Sequence, residues 1–283
     1  MRTFLLSITF LIISAYLIWS YQSFFEADSF KLFFFDVGQG DSALIITPGG
    51  QTILIDGGPD RKVLRALGEA LPFWRRKIDL LVITHAHDDH ISGLVEVSRR
   101  YQINNVLYNN LNFETPVLSA LIETFKDNKI HLTKAVPKMI LKFDNGCLLS
   151  VLAAADGIQK DENDYSVVTM FDCLNKKVLL TGDAGVPIEN YLLANQADLK
   201  ADILKVAHHG SLSASSQDFL LAVKPKVAVI SVGANNKFGH PAPLTLEKLR
   251  SLPVDIYLTA KVGTVKFLAN YKSIILFKQS DKK

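Results

Sequence analysis

Two spacings of apolar residues run through this chain. Short runs rich in Val, Ile, Leu and Phe, closed by Gly, Pro or Asp, predict strands over 31–35, 42–47, 52–55, 80–83 and 105–108. Pro48-Gly49-Gly50 reads as the turn of a hairpin joining the second and third of these. Helical spacing appears over 63–71, with apolar residues at 63, 64, 67 and 71, and again over 92–101 and 115–125. Pro72 should stop the first helix, because a proline pushes the residue before it out of the α region. The second half repeats the style. Strands are expected at 130–135, 138–143, 147–153, 166–172, 177–181, 202–207, 226–232, 255–259, 263–269 and 273–278, and helices at 187–195, 215–223 and 243–251. Strand–turn–helix units in both halves, with polar residues at strand ends, predict a two-sheet α/β sandwich.

A different pattern precedes them. Residues 3–21 carry no charge and are mostly apolar. As a helix they would span roughly 28 Å at about 1.5 Å per residue, close to a bilayer core. Arg2 precedes the run and Glu26 and Asp28 follow it, which leaves the N-terminus in the cytoplasm and sends the remainder outside. The rival reading is a cleavable signal peptide. The apolar run is long for one, and no small-x-small site precedes Trp19 and Tyr21, so an uncleaved anchor is expected. Residues 1–24 are then a membrane anchor or signal segment, and 30–279 form one domain with no internal linker. The protein is expected at the cell membrane, single-pass, with that domain outside the cytoplasm.

Composition adds little to this. The chain is 48% hydrophobic and 21% charged, as globular proteins are, and its net charge of +3 permits a polyanionic substrate without the basic stripe that would demand one. Its two cysteines, Cys147 and Cys173, supply no disulfide framework and read as buried free thiols, pairing only if their strands are neighbours.

The histidines change the picture. Of seven, three fall in Thr84-His85-Ala86-His87-Asp88-Asp89-His90, at the end of an apolar run. Ligand chemistry collects at the carboxyl ends of strands in α/β folds. His85 and His87, two apart in extended chain, point the same way and can grip one ion; Asp89 and His90 can reach a second. Imidazole and carboxylate together suit zinc, or manganese or iron. The competing reading is a helix start capped by Asp88 or Asp89. Asp183 ends another strand after Gly182, where it can bridge two metals or serve as an ordinary turn residue. His208 and His209 close a third strand. Of these, His208 is expected in the ligand set and His209 behind it, holding a ligand in place. His240, before Pro241, suits a proton donor to a leaving group or a structural donor equally. Asp56, Asp41 and Gln39 are candidates for orienting ligands, as are Asn163, Asp164 and Ser166.

These blocks resemble the metallo-β-lactamase superfamily. In particular, Asp36-Val37-Gly38-Gln39-Gly40-Asp41-Ser42, Leu54-Ile55-Asp56-Gly57-Gly58, Leu180-Thr181-Gly182-Asp183, His208-His209-Gly210-Ser211 and Gly239-His240-Pro241 look like the hydrolase domain of ComEC-type bacterial DNA-uptake proteins. The resemblance covers about 30–270. It implies a four-layer αβ/βα sandwich, two divalent metal ions (Zn or Mn) held by His85, His87, Asp89, His90, Asp183 and His208, and cleavage of phosphodiesters, with DNA as a possible substrate. Two features depart from the family. The chain has one hydrophobic segment where competence proteins carry a many-helix channel, so DNA transport is not implied. Ala260 and Lys261 stand where an Asp often precedes Gly263, and Lys261 is a candidate phosphate contact. Many superfamily members supply a third histidine to the first metal, but His131, alone between His90 and Asp183, lies too early, so the first ion should bind more weakly.

The expected chemistry is metal-assisted hydrolysis, with Asp89 orienting the attacking hydroxide and His240 assisting the leaving group. Hydrolysis of another ester, choline phosphate or a lactam is the alternative, and a non-catalytic binding module on the same fold is a third reading.

Overall fold

Phe30, Leu32 and Phe34 lie on one face of strand β1 (Ser29–Phe34) and Phe33 on the other, and all are buried. A strand enclosed on both faces needs no polar alternation, which is why this stretch reads as a continuous aromatic run. The computed structural model describes residues 13–14, 28–111, 114–154 and 162–277. β1 lies within an eight-stranded sheet ordered β15-β14-β1-β2-β3-β4-β5-β6. Its other members are β2 (Ala43–Ile46), β3 (Thr52–Ile55), β4 (Lys77–Val82), β5 (Gln102–Tyr108), β6 (His131–Lys134), β14 (Val265–Asn270) and β15 (Ile274–Phe277). The second sheet has seven strands in the order β13-β12-β11-β10-β9-β8-β7. These are β7 (Ile140–Lys142), β8 (Leu148–Ala153), β9 (Val168–Cys173), β10 (Lys176–Leu180), β11 (Ile203–Lys205), β12 (Val227–Ile230) and β13 (Asp255–Leu258).

The two sheets pack face to face over a core that includes Phe34, Ile53, Val82, Val151, Phe171 and Phe267. Helices α1 (Lys62–Ala70), α2 (Asp88–Arg100) and α3 (Pro116–Asp127) cover the outer face of the first sheet through Val63, Leu94 and Leu121. Helices α4 (Val186–Ala194), α5 (Gln217–Val223) and α6 (Pro243–Arg250) cover the second through Ile188, Phe219 and Leu249, and a single turn, α7 (Thr259–Val262), follows β13. The result is the four-layer αβ/βα arrangement. β1, β3, β4 and β5 run in one direction, as do β10, β11 and β12, so that their carboxyl ends meet along one rim.

Two expectations change, and a third falls outside the described residues. α2 begins at Asp88, not near residue 92, with His87 in the cap position at ψ 145° and without a side-chain cap, so Asp88 and Asp89 form the first turn and neither caps it. Their charges still favour the positive end of the helix. Cys147 and Cys173 are not free thiols: they form a disulfide across neighbouring strands, where Leu148 pairs with Asp172. The apolar segment 3–21 lies outside the described residues apart from Ile13 and Ser14. Among the described residues no helix is long and apolar enough to cross a membrane.

Candidate metal centre

The rim where the parallel strands end carries almost every polar group singled out in the sequence. β1 leads into the turn holding Asp41, β3 ends at Asp56, β4 at Thr84 and His85, β10 at Asp183, and β11 at His208 and His209. Glycines let these turns close on one another. A Cβ on Gly40 (φ +142°) would fall 2.2 Å from the Asp89 carbonyl oxygen, and one on Gly182 (φ +53°) would strike Thr84 at 2.8 Å. His208 and His209 are themselves left-handed, at φ 49° and 53°, and Gly210 continues the turn at φ 81°. Two consecutive non-glycine residues there are strained, and the conformation turns the two rings apart.

Four imidazoles share one organisation. Thr84 donates its hydroxyl proton to Asp56 Oδ2 (2.6 Å), so its oxygen is left to accept from His85 Nδ1 (3.1 Å). His87 donates Nε2–H to Glu162 (2.8 Å), His90 donates Nδ1–H to Asp56 (2.8 Å), and His209 donates Nδ1–H to the Ser231 carbonyl (2.9 Å). In each ring one nitrogen is thereby anchored and the other is directed inward. His85 Nε2 and His87 Nδ1 face each other at 3.1 Å. His90 Nε2 lies 3.4 Å from Asp183 Oδ2, and His209 Nε2 lies 3.4 Å from the same oxygen and 3.2 Å from Asp89. Asp183 stands between the two groups, its backbone N–H donating to Ser166 Oγ (3.0 Å), which is itself 3.5 Å from His85 Nδ1.

His208, expected in the ligand set, and His209, expected behind it, both reach Asp183 Oδ2, at 3.9 and 3.4 Å, and they differ in burial. His209, 2% exposed, converges with Asp89 and His90, whereas the His208 ring is 23% exposed, with Nδ1 at Ser213 Oγ (3.0 Å) and Nε2 3.9 Å from Asp183. The cause is the left-handed turn, which aims the second ring inward and leaves the first on the rim. His240 lies beside that rim ring, with centroids 5.7 Å apart. Gln39 accepts the Gly233 N–H (3.2 Å), tying the Asp41 turn to the loop that carries His240. His131 opens β6 at the opposite edge of the sheet and is exposed. Asn163 and Asp164 are buried beside Ser166.

Four contributors are absent from the sequence reading: Lys205, Thr84, Glu162 and Ser231. Lys205 had a visible signal, a lysine inside the apolar run Ile203-Leu204-Lys205-Val206. It is 4% exposed; its ammonium pairs with Asp41, donates to the Gly182 carbonyl (3.0 Å) and lies 3.6 Å from Asp183. The others had no such signal, since a Thr, a Glu in a loop and a backbone carbonyl are ordinary in any chain.

Electrostatics follow from this packing. Burial pushes the Asp183 carboxyl up, but His209, His90 and Lys205 together hold it well below the usual carboxylate range. Burial likewise opposes ionisation of Asp41, and the Lys205 ammonium wins, lowering it. Burial, reinforced by the neighbouring His90, keeps the His85 imidazole well below its ordinary value and therefore neutral. Burial works against a proton on His209, yet Asp183 and Asp41 raise it to about 10.

The donor set fits divalent cations. Two imidazole nitrogens facing at 3.1 Å need a cation or a proton between them, and His90 Nε2, Asp183 Oδ1 and Asp41 Oδ1 are buried without a hydrogen-bond partner. Histidine ligands are held through their other nitrogen, as all four are here. Ligand atoms of His85, His90 and Asp183, and of Asp89, His90 and His209, lie within 4.8 Å of one another. Mixed nitrogen and oxygen donors of this kind suit divalent first-row metals.

Comparison with known proteins points to one family. A family profile described as "Metallo-beta-lactamase superfamily" matches residues 35–134 and 154–234. The ComE operon protein 3 of Bacillus subtilis is 25% identical over 249 residues, covering 82% of this chain and 32% of that protein. Recombination protein 2 of Haemophilus influenzae is 29% identical over 235 residues, covering 82% of this chain and 28% of that protein. The chain thus spans about a third or less of the curated relatives it matches. In fold it is similar to CmlA, a diiron β-hydroxylase from Streptomyces venezuelae, with a TM-score of 0.58 at 14% identity, over 86% of this chain and 54% of that one.

Proposed function

We propose that this chain, which belongs to the metallo-β-lactamase superfamily, is a membrane-anchored phosphodiesterase acting outside the cytoplasm, with DNA as its candidate substrate. Residues 30–279 form the hydrolase domain in this reading, and 3–21 the anchor. His85 and His87 would hold one divalent cation and Asp89, His90 and His209 a second, with Asp183 available to both; zinc or manganese is the candidate metal. Bound there, such cations lower the pKa of water and neutralise charge on an anionic ester.

The chain's own residues do the remaining work. Asp56, Thr84, Glu162 and the Ser231 carbonyl fix the ring orientations, so little reorganisation is needed at the moment of reaction. Lys205 keeps Asp41 and Asp183 ionised at the buried floor. Asp89, one-third exposed, is the carboxylate placed to orient an attacking water. His208 and His240 lie on the open rim, where an imidazole can bind a phosphoryl oxygen or give a proton to the leaving alkoxide. Burial lowers the His240 value, which makes its protonated form the better acid.

The observation that carries the reading is the shared organisation of His85, His87, His90 and His209, each with one nitrogen anchored and one turned inward. Relatives named for competence and recombination favour a nucleic-acid substrate over a lactam. The test incubates the purified full chain, with zinc or manganese, with labelled single-stranded DNA, a chromogenic phosphodiester and a chromogenic lactam. Metal-dependent cleavage of the first two is expected; cleavage of the lactam alone overturns the reading.

A further inference from the structure

The edge opposite the metal centre has its own chemistry. β4 begins there, and the turn before it exposes Phe73 and Trp74 at 80% and 72%, packed edge to face with centroids 4.8 Å apart. Arg75 is drawn back into the fold, donating to the Gly50 carbonyl in the β2–β3 turn, so the two rings are held outward on a braced loop. Arg76 donates to the Tyr101 hydroxyl (3.1 Å), and no carboxylate among the described residues pairs with it. Lys77 follows, paired with Asp79 at 2.9 Å. On the same edge the β14–β15 turn exposes Tyr271 at 59%, next to Lys272.

The chain reaches β1 at this edge. β1 runs parallel to β3 and β4, so Ser29 lies at the end where β4 starts, and Ser29 pairs with Asn270, immediately before Tyr271. The residues ahead of Ser29 include the uncharged apolar run 3–21. An edge that presents Trp, Tyr and Phe among Arg and Lys, beside the entry of an apolar segment, has the composition of a membrane–water interface.

We propose that this edge docks on a phospholipid surface, with Phe73, Trp74 and Tyr271 at headgroup depth and Arg76 and Lys272 among anionic headgroups. The proposal rests on the anchored reading of residues 3–21. Docked so, the sheets stand on the membrane and the metal centre faces away from it, separated by at least the length of β4, about 20 Å at roughly 3.3 Å per residue. The active rim then opens to substrate in the aqueous space.

The test uses the full chain in vesicles of phosphatidylcholine and phosphatidylglycerol carrying nitroxides at the headgroup or deep in the acyl chains. Trp19 and Trp74 are the two tryptophans, so Trp74→Phe leaves Trp19 as reporter and Trp19→Phe leaves Trp74. Phe238 is 65% exposed and stacks on His240 with centroids 5.8 Å apart, so Phe238→Trp, added to both substitutions, reports from the rim of the metal centre. Trp19 should be quenched by the deep label. Trp74 should be quenched several-fold more strongly by the headgroup label than the position 238 reporter is. If Trp19 is quenched but Trp74 is no more affected than position 238, the docking surface is wrong and the anchor stands. If neither Trp19 nor Trp74 is quenched, both fall.

Discussion

The ammonium of Lys205 pairs with the carboxylate of Asp41 beneath the metal centre, their side chains 5% and 7% exposed, and the same nitrogen lies 3.6 Å from Asp183. One cation thus serves two carboxylates that would otherwise face each other across the join of the two sheets. A desolvated charge costs several kcal/mol unless it is paired, so this lysine supports both the fold and the charge of the site.

Lys205→Met should therefore be severely destabilising, by about 3–5 kcal/mol, because it leaves buried carboxylates unpaired. Urea denaturation measures the loss. Adding Asp41→Asn should recover part of it, and a double variant as unstable as the sum of the singles would rule out the coupling.

His209→Ala should lose one equivalent of metal, while His208→Ala should keep both and lose activity through the substrate side. Elemental analysis of the purified variants separates the two. The reverse pattern would restore His208 to the ligand set and place His209 behind it.

Asp56→Asn should weaken metal binding by about 10–100-fold, the usual effect of removing a group that orients a ligating histidine. The Thr84 and His90 hydrogen bonds to Asp56 give the physical reason. Competition with a chromogenic chelator gives the affinity, and an unchanged value would count against the orienting role.

Asp183→Ala should abolish hydrolysis with the circular dichroism spectrum preserved. Asp183 sits between both groups of imidazoles, so no neighbour can take its place. Full retained activity would refute the bridging role.

Stepwise chelation should release the ion at His85 and His87 first, since His131, the one histidine between His90 and Asp183, stands at the far edge of the sheet. Metal present at about 100 times its dissociation constant should stabilise the fold by about 2.7 kcal/mol, raising the melting temperature. Release of both ions in a single step would show equal affinities instead.

Much of this was legible along the chain. β3 spans Thr52–Ile55 as the apolar run predicts, and Leu71 adopts an extended ψ of 147° before Pro72. The histidine block emerged because imidazoles are scarce and chance seldom puts three within six residues. The start of α2 is not legible because Asp88, Asp89 and His90 in its first turn break the apolar spacing that marks a helix. The disulfide stays conditional in the sequence because pairing depends on β8 and β9 being neighbours, which no local pattern reports.

The sequence by itself determined the layers, the strand ends and the residue types that gather there, because periodicity and scarce side chains are properties of the linear chain. Only the tertiary structure decided that His209 is buried against Asp89 and His90 while His208 stays part-exposed, since a left-handed turn, not residue identity, aims the rings. It alone also joined Lys205 to Asp41, which meet only when the two sheets close and water is driven from between them.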